Sequence, residues 1–96
     1  MWENNNGDSM KFDRSDENYV YDFVGKNVRK YRKQKGWTQK KLAAESRYSK
    51  QFISNIENNV HQTFSLGTLW KLAQVLEVDL SELCKEEKSE IQDILS

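Results

Sequence analysis

Four side chains that hydrogen-bond, none of them acidic, fall on one side of a short segment: Lys50, Gln51, Ser54 and Asn55. Ile53 and Ile56, three apart, take the other side, the pattern of a helix buried along one stripe. Such a face at the start of a helix has a definite chemistry. An ammonium suits the O6 and N7 acceptors of guanine, and a glutamine amide suits N6 and N7 of adenine. Lys50 and Gln51 are therefore the candidates for reading base edges in a major groove, with Ser49 and Asn55 beside them in the base-reading set. A second cluster, Thr38, Gln39, Lys40 and Lys41, stands ahead of it. There the N–H groups of a helix start and the two ammonium groups favour an anion, so these four are candidate phosphate contacts. The alternatives are a glutamine that caps its own helix and a solvated lysine face.

Two short helices must position these groups. The first runs from about Gln39 to Ser46 with Thr38 as N-cap and Leu42 and Ala43 as its apolar positions. The second runs from about Lys50 to Asn58 with Ser49 as N-cap, and Arg47 and Tyr48 form the turn between them.

Gln39, Leu42-Ala43, Ser49 and the run Phe52-Ile53-Ser54-Asn55-Ile56-Glu57-Asn58 resemble the helix-turn-helix of the phage repressor and Cro-like family, also called the xenobiotic response element family. The resemblance extends from about Phe23 to Leu83. It implies duplex DNA as partner, a glutamine at 39 that meets a phosphate, and a structural pair between Arg32 and Glu57. It also implies that Asn58 and Gln62 lie where a loop approaches phosphates, and that a two-fold homodimer reads a palindrome. Relatives often carry glycine where Arg47 and Asn59 stand, so both are expected in the left-handed region, at about 1–2 kcal/mol for the arginine.

The flanks fit this frame. A first helix starts between Asn18 and Asp22, carries Val20, Phe23 or Val24, Val28 and Tyr31 along one stripe, and ends at Gly36, with Trp37 covering the core. A fourth helix runs from its cap Ser65 to about Leu76, burying Leu66, Leu69, Leu72, Ala73 and Leu76. Val78 packs inward. A short fifth helix is expected from Asp79, with Asp79 and Glu82 spaced as a capping box and Leu80 and Leu83 as its apolar contacts.

Net charge is zero, yet its distribution is uneven. Residues 26–50 carry ten basic groups and one acidic, while residues 1–25 and 76–96 are net acidic. A basic block over the two helices is the footprint of phosphate binding. One histidine, His61, and one cysteine, Cys84, leave no metal site, no catalytic dyad or triad and no internal disulfide, so neither an enzyme nor a cofactor is expected. No run approaches the roughly 18 apolar residues of a membrane span, and a reducing cytoplasm is the expected compartment.

The reading is all-α: a five-helix, repressor-like DNA-binding domain at 18–84 with its helix-turn-helix formed by helices two and three. A disordered extension precedes it at 1–17. An acidic tail follows at 85–96, either helical or disordered. Leu80, Leu83, Ile91, Ile94 and Leu95 are the expected dimer surface. The function expected is a transcriptional regulator. An antitoxin with a toxin partner, a restriction-modification controller, and a protein-interaction module without DNA binding remain as alternatives.

Overall fold

A computed structural model describes residues 17–60 and 62–86 of the chain. They form five helices: α1 (Glu17–Gln34), α2 (Gln39–Ser46), α3 (Lys50–Asn58), α4 (Leu66–Leu76) and α5 (Leu80–Leu83). Expected behaviour of the extension before Glu17, of His61, and of Ile91, Ile94 and Leu95 in the tail lies outside the described residues.

Helix α1 begins with Glu17 and ends with Arg32 and Lys33, so its charges oppose the helix dipole at both ends. It lies across α3 at Gly25. A Cβ there would meet the Ile56 carbonyl oxygen at 2.1 Å, so only glycine permits this approach. Val24 and Val28 of α1 join Leu42, Ile53, Ile56, Leu72, Leu76 and Leu83 in one core drawn from all five helices.

Four helices end the same way. After α1, α2, α3 and α4 the chain turns through one left-handed residue: Gly36, Arg47, Asn59 and Glu77. The next residue, Trp37, Tyr48, Val60 or Val78, donates its N–H back to Arg32, Ala43, Asn55 or Ala73. These are Schellman turns, and they satisfy carbonyls the helix leaves unpaired. Three of the four left-handed positions are not glycine. Arg47 and Asn59 are expected there from the sequence; Glu77 is not.

Asn27, 2% exposed, is a buried amide with no counterpart among the residues singled out from the sequence. Its Nδ2 donates to the carbonyls of Leu83 at 2.8 Å and Lys85 at 2.7 Å, which closes the C-terminal end of α5 onto α1. Tyr31 adds a second latch by donating its hydroxyl to Glu82 at 2.7 Å.

Four expectations are corrected. Leu66 is 69% exposed because it opens α4 on the side away from the core, and Val20 is 45% exposed in the first turn of α1. Asp79 caps α5 without a side-chain hydrogen bond, so there is no capping box; the Glu82 carboxylate is bonded to Tyr31 and Lys85 instead. Leu83 is fully buried and so is not free to form a dimer surface, while Leu80 is half-buried against the core.

Candidate nucleic-acid interface

The interface is built on two capped helix starts. Thr38 Oγ1 accepts from the backbone N–H of Lys41 at 3.0 Å, and Ser49 Oγ accepts from Phe52 at 3.0 Å. Each cap satisfies one orphan donor and leaves the hydroxyl hydrogen to donate elsewhere. Lys50 and Gln51 follow Ser49 directly and are exposed, as is Lys40 in the first turn of α2.

A buried ion pair lies where the last turn of α3 meets α1 and the start of α2. Arg32 donates Nε to Glu57 Oε2 at 2.6 Å and NH2 to Glu57 Oε1 at 2.9 Å, a bidentate pair. Its third nitrogen, NH1, donates to the Trp37 carbonyl at 2.7 Å. Gln39 Nε2 adds a donor to Glu57 Oε1 at 3.1 Å. The side chains of Arg32 and Glu57 are 9% and 1% exposed, so water screens this pair very little. One carboxylate on α3 is thus held from α1 and from the first residue of α2, while the same guanidinium ties down the α1–α2 turn. Desolvation opposes the pair, and its contribution here is geometric: it fastens α3 to α1. The Gln39 amide is oriented by the same carboxylate, with its oxygen turned from Glu57.

The outer side of α3 carries two ladders of polar groups. Asn58 Nδ2 donates to Ser54 Oγ at 3.2 Å. Gln51 Nε2 donates to Asn55 Oδ1 at 2.8 Å, and Asn55 Nδ2 donates to Gln62 Oε1 at 3.3 Å. Gln51–Asn55 spacing is legible in the sequence as an i,i+4 pair. Its extension to Gln62 depends on how the loop before α4 folds back and has no local signature.

Several basic groups of the block have structural partners. Lys35 pairs with Glu77 at 2.8 Å and stacks over the Trp37 ring, which ties α1 to the end of α4. Lys26 pairs with Asp22 and Lys41 with Glu45, both one helical turn apart and largely exposed, so these contacts are weak and yield readily to a phosphate. Hydrogen bonding also shifts three titrations. The bond from Lys35 holds the Glu77 carboxyl below its usual range, and the bond from Tyr31 does the same for Glu82. The Tyr31 hydroxyl is raised, chiefly by that same bond to Glu82.

A helix-turn-helix family model matches residues 28–83 of the chain. The HTH-type transcriptional regulator SlrR of Bacillus subtilis is 45% identical over 60 residues, 62% of this chain and 40% of that protein. The chain therefore spans well under two thirds of this relative. The fold is also similar to the crystal structure of the master regulator for biofilm formation SinR in complex with DNA. That similarity has a TM-score of 0.61 and 32% identity, covering 65% of this chain and 98% of that one. The restriction-modification controller protein C.AhdI from Aeromonas hydrophila gives a TM-score of 0.66 at 28% identity, covering 71% of this chain and 97% of that one.

Proposed function

The chain belongs to the helix-turn-helix family, and from that premise we propose that it is a transcriptional regulator that binds duplex DNA sequence-specifically through the first turn of α3. The observation that carries this reading is the exposed, non-acidic start of α3, on a helix whose last turn is fastened to α1 and to the start of α2 by Arg32, Glu57 and Gln39. In this reading Ser49, Lys50, Gln51 and Asn55 meet bases, while Thr38, Gln39, Lys40, Lys41, Asn58 and Gln62 lie along the phosphates. The similarity to SinR, solved in complex with DNA, supports it.

We place the protein on DNA as a homodimer in the cytoplasm, reading a palindrome whose half-sites lie about one helical turn apart. With Leu83 engaged in the core, the adjacent pair of exposed apolar side chains among the described residues that we assign to a second copy is Leu66 and Trp70, four apart on α4 and 69% and 55% exposed. A restriction-modification controller is the second reading, favoured by the similarity to C.AhdI. It uses the same interface and differs in which gene lies beside the operator.

The test is selection of bound sequences from a random duplex pool at stated salt. A palindromic consensus is expected. Binding without preference for any duplex would leave a protein-interaction module as the better reading.

A further inference from the structure

Three amides stand in series between the loop before α4 and the exposed start of α3. Gln62 Nε2 donates to the Thr63 carbonyl at 2.8 Å. Gln62 Oε1 accepts from Asn55 Nδ2 at 3.3 Å, and Asn55 Oδ1 accepts from Gln51 Nε2 at 2.8 Å. A backbone carbonyl only accepts, so the Thr63 end sets the direction of the whole chain. Gln62 must turn its nitrogen to Thr63 and its oxygen to Asn55. Asn55 must then turn its nitrogen to Gln62 and its oxygen to Gln51, which leaves Gln51 presenting its nitrogen inward.

We infer that Gln62 is a positioning residue for base recognition, and that the relay it anchors makes Gln51 a reader of adenine; the inference rests on the DNA-binding role proposed for α3. When the hydrogen given to Asn55 is the one anti to Oε1, Gln51 retains the syn hydrogen and Oε1 side by side. That donor–acceptor pair complements the N7 acceptor and N6 donor of adenine. Guanine offers N7 and O6, two acceptors, so the same fixed amide would set Oε1 against O6. An unanchored glutamine could rotate its amide to lessen this conflict, whereas the relay holds it and lowers the ordering cost of binding. Gln62 is neutral and half-buried, so a phosphate met by its remaining Nε2 hydrogen would not be neutralised, and its effect on base choice runs through Asn55.

The experiment titrates the full chain against the selected operator and its single-base variants at one salt concentration, comparing wild type with Q51A, Q62A, Q62M, Q62E and the double variant Q51A/Q62M. Helical circular dichroism is matched first. Wild type is expected to prefer adenine over guanine at one base pair per half-site by about 5- to 100-fold. Q62M and Q62A should each lower that ratio by about 3- to 10-fold at that base pair, with any other change confined to the base pair that Asn55 meets. Q51A/Q62M should lose no more there than Q51A alone. Q62E keeps the oxygen to which Asn55 donates, so it should retain more of the adenine preference than Q62M while binding every sequence more weakly. Uniform weakening by Q62M with the adenine preference intact would overturn the relay and leave Gln62 as a backbone contact. A wild type that selects no sequence would overturn the DNA-binding role and this inference together.

Discussion

Arg47 and Glu57 show how much a single position can hold. Arg47 takes φ 65° in the turn between α2 and α3, where a Cβ is strained by about 1–2 kcal/mol. Arg47→Gly relieves that strain but adds freedom to the unfolded chain, so a net stabilisation of about 0.5–1 kcal/mol is expected in urea unfolding. Glu57 presents the opposite case. Glu57→Ala leaves the Arg32 guanidinium buried without a carboxylate and removes the partner of Gln39. A loss of about 3–5 kcal/mol is expected, because an uncompensated buried charge costs more than the pair contributes. If the variant unfolds at the wild-type denaturant midpoint, the cluster does not hold α3. In the proposed reading, contacts with DNA also divide by residue. Lys40→Ala should weaken binding about equally on all sequences and flatten the salt dependence by about 0.9 in log K against log salt for each phosphate that the lysine neutralises. Gln51→Ala should instead relax preference at one base pair and leave that slope nearly unchanged. The reverse result in the same titrations would mean that α3 is not the recognition helix.

At the scale of the element, α5 is the instructive one. Four residues cannot form a helix on intrinsic propensity. It is held by Leu83 in the core, by the Asn27 amide on its last carbonyls, and by the Tyr31–Glu82 bond. That last bond titrates at both ends. The Glu82 carboxyl is held low by Tyr31 and then Lys85, so its contribution is present above the ordinary glutamate range and is lost as pH falls through the lowered value. The Tyr31 hydroxyl is raised, so its contribution is present below the ordinary tyrosine value and is lost as pH rises through the raised one. Tyr31→Phe should therefore lower the melting temperature near neutrality and reduce the loss of stability at both pH extremes. Parallel melting curves for the two proteins across the whole pH range would show that the bond contributes nothing.

The whole molecule has no net charge, yet its basic residues concentrate in 26–50. Folding sorts that block. Arg32 goes inside, Lys35 joins α1 to α4, and Lys40 and Lys50 stay exposed at the two helix starts. A zero sum is thus compatible with a strongly local field. Assembly belongs to the same scale. Leu66 and Trp70 expose apolar surface along one side of α4, and a two-fold contact there would be isologous. Trp70→Glu should shift sedimentation toward monomer, leave helicity unchanged and weaken binding to the palindrome more than to a half-site. Unchanged sedimentation would move the interface to another surface.

Local signals carried the helices and the turn by themselves. Thr38, Ser49 and Ser65 cap where their spacing from the apolar stripes predicts, because a cap bond reaches only to the third residue along the chain. The left-handed Arg47 and Asn59 were also legible, through the resemblance of this segment to its family. What failed were inferences that treated periodicity as burial. Leu66 and Val20 keep the helical spacing of their neighbours but stand at helix ends that project past the core. The Asp79–Glu82 spacing was right for a capping box, yet Tyr31, far away in sequence, took the carboxylate. Asn27, Gly25 and the Gln62 relay were invisible for the same reason. Their roles depend on the Leu83 carbonyl, the Ile56 carbonyl and the Asn55 amide, which only tertiary packing brings to them. Sequence determines what a residue does within a helical turn; where two elements cross, the partner is set by the crossing, and the crossing by the burial of all five helices at once.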